Sequence, residues 1–216
     1  MGRKLYSPTR TISNRGDRPK FIGQFPCAKG GGDYLVYDSL TALYGAIYLE
    51  WRPDVVRLTF EPREYKFGPA HGLPELKCIP DFEAVLESGE ICPYEAKYSR
   101  EGLRAEERTK LDLTTAHFKY RNSSYSVIYR LDLEADGFLD TVILMRRYGL
   151  MAYPDKLLEA AQQRLAGEPA APLDAWRSRA QRAGVPIGLL YHLLYHQRLP
   201  LVYRPLLPME LMPCRV

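Results

Sequence analysis

Cysteine is scarce in this 216-residue chain and has no pattern: Cys27, Cys78, Cys92 and Cys214 never fall into a C-x-x-C pair. That spacing argues against a zinc site built on paired thiolates and against a disulfide framework. The thiols read as small apolar or incidental residues of a reducing cytoplasm. Long hydrophobic runs are missing too. No apolar segment reaches the length needed to span a bilayer, and no signal peptide is visible, so a cytoplasmic protein is expected. Acid is nearly absent from the first 29 residues, where Arg3, Lys4, Arg10, Arg15, Arg18, Lys20 and Lys29 face Asp17 alone. A basic arm of this kind often follows a phosphate backbone, although a frayed, soluble terminus has the same composition. His192 and His196 stand four apart on a predicted helix, but no Glu follows His192 and no third ligand is evident, so helix packing is the expected role.

What is present suits a globular protein. The chain is 46% hydrophobic and 26% charged, with a formal net charge of +4. Its length fits one domain of about 150 residues with a small appendage. After residues 1–30 and the Gly30-Gly31-Gly32 break, Asp38 to Trp51 has helical periodicity, with Asp38 or Ser39 as cap and Pro53 at its end. Val55 to Phe60 and Arg63 to Phe67 read as strands. A Gly- and Pro-rich loop leads to a hairpin, Phe82 to Leu86 and Ile91 to Tyr98. A charged helix then runs to about Tyr120, followed by a strand at Ser126 to Leu131 and a helix at Phe138 to Tyr148. This order predicts an α/β fold, a mixed-sheet core over residues 31–150 with helices covering a small sheet. A boundary is expected between Leu150 and Tyr153. Residues 151–216 then hold an amphipathic segment, two short helices around Gly184 and a strand-like return at Leu199 to Arg204, the outline of a winged helix.

The chemistry concentrates in the hairpin. Ile79-Pro80-Asp81-Phe82 is followed by Tyr94-Glu95-Ala96-Lys97-Tyr98. Metal-dependent nucleases use an Asp and a downstream Glu-x-Lys in this way: two carboxylates hold Mg²⁺, which acidifies a water and stabilises charge on the scissile phosphate. The lysine positions that water or neutralises developing charge. If the hairpin is symmetric about Gly89, Asp81 faces Lys97 and Glu83 faces Glu95 on one side of the sheet. Cross-strand charge pairs on a solvated hairpin have the same pattern. Further cations, Arg104 and Lys110 among them, lie on the following helix, either as a solvated face or as contacts to DNA.

Taken in order, Tyr48-Leu49-Glu50-Trp51, Pro53-Asp54-Val55-Val56, Pro80-Asp81-Phe82 and Glu95-Ala96-Lys97 resemble TnsA, the endonuclease subunit of heteromeric bacterial transposases. The resemblance covers most of Val36 to Tyr98, and the tail from Leu173 looks like that family's C-terminal winged-helix domain. It implies a restriction-endonuclease-like core that cuts the 5′ strands of double-stranded DNA at transposon ends. A TnsB-type recombinase would cut the 3′ strands, and a TnsC-type AAA+ regulator would dock on the C-terminal domain, all in a bacterial, nucleoid-associated setting. It implies Mg²⁺ as cofactor, with Mn²⁺ able to substitute. Asp81 and Glu95 would be metal ligands, Lys97 the catalytic lysine, and the Ala96 carbonyl part of the metal shell. A stand-alone restriction or repair nuclease and an inactive DNA-binding adaptor of the same fold are the alternatives.

One position departs from the family. An acid is expected nine residues before Trp51, and this chain has Ala42. An engineered replacement of glutamate, a natural loss with Asp38 as substitute, and a different alignment of the helix each account for it. The intact pair and lysine favour the first. On that reading the molecule binds DNA ends and does not cut them.

Overall fold

The computed structural model describes residues 21–31 and 34–202. The chain divides into two compact units, one ending at Leu133 and the other beginning at Glu134.

Alternating burial shapes the first unit. Strands β1 (Gly23–Pro26) and β2 (Tyr34–Tyr37) pair antiparallel and bury Phe25 and Leu35. The expected basic arm therefore stops short of residue 30: from Gly23 the chain is strand, and the Lys29 carbonyl accepts a hydrogen bond from the Leu58 amide at 2.9 Å. Helix α1 (Leu40–Trp51) starts at Ser39, whose hydroxyl accepts from the Ala42 amide at 3.0 Å. Asp38 is not the cap. Strand β3 (Val55–Phe60) follows, then the short antiparallel pair β4 (Tyr65–Phe67) and β5 (Leu76–Cys78). Strands β6 (Phe82–Leu86) and β7 (Ile91–Lys97) form the hairpin, and helix α2 (Ala105–Tyr120) leads to β8 (Ser126–Tyr129) and the short α3 (Arg130–Glu134).

The main sheet has the order β3-β6-β7-β8, antiparallel except for the parallel β7–β8 pair. It is a mixed sheet in a mixed α/β unit. Phe82, Ala84 and Leu86 are buried on one face, where α1 packs. The approach is close: a Cβ on Gly45 would lie 3.0 Å from the Phe82 ring and 3.6 Å from Ala96 Cβ. Asp81, Glu95 and Lys97 belong to the other face by strand alternation.

Pro93 sits in β7, a central strand, without breaking it. Even-numbered residues of β7 exchange hydrogen bonds with β6, so the Pro93 nitrogen faces the β8 side, where pairing begins only at Tyr94. The missing donor costs no ladder bond.

The second unit is helical. It contains α4 (Phe138–Gly149), entered from Gly137 in the left-handed region at φ 69°, then α5 (Asp155–Arg164), α6 (Leu173–Arg182) and α7 (Ile187–Tyr195). The boundary expected at Leu150–Tyr153 is thus displaced, because α4 buries Val142 and Met145 within this unit. A Cβ on Gly149 would strike the Tyr195 ring at 2.2 Å, so the end of α4 lies directly on α7. His192 and His196 act there. Their ring nitrogens donate to the Tyr148 carbonyl at 3.2 Å and the Gly149 carbonyl at 2.9 Å, closing the last turn of α4. Beyond α7 only one bridge, Leu201 with Ala171, is found among the described residues, and 203–216 lie outside them. Among the described residues no helix is long and apolar enough to cross a membrane.

Candidate active site

The hairpin register decides which charges meet. Phe82 pairs with Tyr94, Glu83 with Pro93 and Val85 with Ile91, so the hairpin is centred on Ser88. Gly89 takes φ 84° as the last residue of a three-residue turn, with the Leu86 amide bonded to the Glu90 carbonyl at 2.9 Å. The symmetry expected about Gly89 is therefore wrong by one step at the turn and two across the strands. One residue beyond the ladder, Asp81 faces Glu95 rather than Lys97. Glu83 instead serves structure, accepting from Tyr65 Oη at 2.6 Å and Arg63 Nε at 3.0 Å.

Asp81 follows Pro80 in the short link from β5 to β6. Its carbonyl accepts from the Glu61 amide at 2.9 Å, and its Oδ2 accepts from the Ala96 amide at 2.7 Å. The carboxylate thus takes the place of the next rung of the β6–β7 ladder. An extended residue sends its N–H and C=O to the same edge, so the Ala96 carbonyl also emerges on the Asp81 side. Two residues apart on one strand face, Glu95 Oε1 accepts from Lys97 Nζ at 2.6 Å. Their side chains are 18% and 27% exposed, which leaves the pair reachable from solvent.

Burial works against the Lys97 charge, but Glu95 first, then Asp81 and Glu107, outweigh it and raise the pKa above the ordinary lysine value. Lys97 is an ammonium at neutral pH and cannot act there as a base. The same carboxylates mark their neighbours: burial and then Glu95 push the Cys78 thiol up to about 11, and burial, Glu95, Cys78 and Asp81 raise the Tyr125 phenol. A cavity of about 170 Å³ opens beside the pair, lined by Glu95, Lys97, Cys78, Tyr125 and, from α2, Glu107 and Lys110.

The donor set suits a hard divalent cation. Two carboxylates on opposed strand positions and one carbonyl on the same edge match the few protein oxygens that Mg²⁺ takes before completing its shell with water and phosphate. The set is also short of a third acid. Among the described residues no group of three or more His, Cys, Asp or Glu side chains could hold a metal ion. Ala42, 3% exposed, lies one helical turn before Gly45 on α1, and Asp38 is not brought into a group with Asp81 and Glu95. Glu50, the nearest acid on α1 to the Trp51 landmark, is buried and accepts from the Ala28 amide at 2.6 Å, a structural duty.

Of the sequence-derived cations, Lys110 reaches the site cavity. Arg104 caps α2 in the open, 3.7 Å from Glu107. Arg3, Lys4, Arg10, Arg15, Arg18 and Lys20 lie outside the described residues. Sequence reasoning missed Tyr125 and Cys78, whose roles arise from the parallel β7–β8 pairing and from β5, neither carrying a short-range signal. The chain matches no protein-family model, and no curated protein matches it.

Proposed function

We propose that this chain is a metal-dependent DNA endonuclease subunit of the TnsA type, with a restriction-endonuclease-like core and a C-terminal winged-helix unit. The observation that carries the reading is the juxtaposition of Asp81 with Glu95 and Lys97 at the end of two central strands. The order of elements supports it: a helix, three antiparallel strands, a helix and a fourth strand parallel to the third. The pair α6 and α7 around Gly184 supports the winged-helix part.

In this reading Asp81, Glu95 and the Ala96 carbonyl hold Mg²⁺ or Mn²⁺, which when bound supplies Lewis-acid charge at the scissile phosphate. The Ala96 amide fixes the Asp81 carboxylate, and Glu95 fixes Lys97. Lys97, permanently charged at neutral pH, orients the attacking water and neutralises charge gathering on the phosphate oxygens. Substrate DNA is the transposon end, a TnsB-type recombinase cuts the other strand, and a TnsC-type regulator docks on the C-terminal unit. The setting is the bacterial cytoplasm.

Ala42 favours a second reading. Among the described residues no third carboxylate is assembled, and on this second reading the chain as it stands is a DNA-binding adaptor that does not cleave. The variant Ala42→Glu separates the two. Incubated with the partner recombinase, transposon-end DNA and Mg²⁺ or Mn²⁺, it is expected to nick 5′ strands. Nicking without the partner would identify a stand-alone nuclease. An inert, folded variant would leave the adaptor.

A further inference from the structure

We propose that Arg100 and Arg130 form a pair of phosphate contacts astride the end of β7, carrying the DNA backbone across Tyr98 to the Asp81–Glu95–Lys97 cluster; the inference rests on the nuclease reading and adds its substrate path. Neither arginine stands out in the sequence.

Their placement follows from the parallel pair. Lys97 is in register with Tyr129, so Tyr98 and Arg130 come next, just past the ends of the two strands, and the Leu131 amide donates to the Tyr98 carbonyl at 3.1 Å to fix them there. The Arg130 guanidinium lies over the Tyr44 ring of α1 at 4.7 Å and near the Tyr98 ring at 5.6 Å. The Arg100 guanidinium lies over the Tyr129 ring at 4.5 Å. Tyr129 shares the face of Lys97, while Tyr44 belongs to the helix on the opposite face. One arginine therefore rides on each side of the sheet, Arg100 on the face that carries Lys97 and Arg130 on the face of α1.

Two features fit a polyanion better than a structural ornament. Asp81 and Glu95 repel a phosphate backbone, and Lys97 is already paired with Glu95, so approach of DNA needs further positive charge at this end of the sheet. Stacking on tyrosine holds each guanidinium plane in advance, which lowers the ordering cost when its N–H fork meets a phosphate. Tyr98, 56% exposed, gives the backbone an open surface to cross. Arg100 and Asp112 of α2 both line two cavities, of about 490 and 390 Å³.

The test is the salt dependence of binding to a labelled 30-base-pair duplex, followed by fluorescence anisotropy without divalent metal. Each released phosphate contact lowers the magnitude of the log K against log salt slope by about 0.9. Arg100→Ala and Arg130→Ala are each expected to lower it by about 1, and the double variant by about 2. Arg130→Lys should restore the slope, while Arg57→Ala, exposed on β3, should leave it unchanged. Arg100→Gln and Arg130→Gln remove charge and keep the stem, and they decide the matter if an alanine variant unfolds. Unchanged slopes in a chain that binds duplex would overturn the pair and leave the nuclease reading standing. A wild-type chain that binds no duplex at 50 mM salt would overturn both.

Discussion

Two polar clusters in the sheet unit contain the same kinds of residue and do opposite things. In the first, Arg52 donates Nε to Asp54 at 2.9 Å, closes a second bond to the same carboxylate, and reaches Tyr94 Oη at 2.7 Å. Lys29 donates to the Arg52 carbonyl, and Glu50 takes the Ala28 amide. Arg52 and Glu50 are buried, and the network ties the turn after β1, the end of α1 and the start of β3. In the second, Glu95 and Lys97 stand half-open beside a cavity, and Asp81 is held on the amide of Ala96, which lies between them in sequence. Glu50 and Asp54 of the first cluster, and all three residues of the second, lie in the segments on which the proposed family reading rests. Glu50 and Asp54 are tied into the fold, whereas Glu95 and Lys97 remain reachable from solvent. A charged residue in a motif is no guide to its job until its burial and partners are known.

The contrast can be broken at either cluster. Arg52→Ala leaves Asp54 and Tyr94 without their buried cation and should cost about 3 kcal/mol of unfolding free energy in urea titration. A loss below about 1 kcal/mol would mean the first cluster is decorative. Lys97→Met should cost about 1 kcal/mol or less, since its pair is partly solvated. Its small contribution also has a defined pH window. Because the folded pKa is raised, the contribution is complete below the ordinary value of 10.5 and fades as pH climbs through the folded value. The stability difference between wild type and Lys97→Met should be flat from pH 7 to 9 and shrink above about 10.5. A difference that changes near neutrality would show that the lysine is not held as an ammonium.

Much of the unit was legible from periodicity. Phe82–Leu86 alternates cleanly because one face packs on α1, whereas Val55–Phe60 alternates only beyond the register shift between Val55 and Arg57; both strands appear where the pattern places them. What failed was non-local or conformational. The hairpin centre moved from Gly89 to Ser88 because Gly89 closes a three-residue turn with positive φ, and that changed the partner of Asp81 from Lys97 to Glu95. The unit boundary failed because α4 is amphipathic in either setting. Only the fit of Gly149 against Tyr195 reveals where its apolar face goes. Arg100 and Arg130 were invisible because their alignment depends on a parallel pairing between strands separated by all of α2.

A divalent cation held by Asp81 and Glu95, as proposed, would sit at the edge occupied by Ala96. Mn²⁺ titrated into the isotope-labelled chain, with paramagnetic broadening of backbone amide resonances as the readout, tests that proposal even when binding is weak. The amides of Glu95, Ala96 and Lys97 should broaden first, and Asp81→Asn should abolish the effect. Broadening centred elsewhere, or undiminished in Asp81→Asn, would contradict the claim.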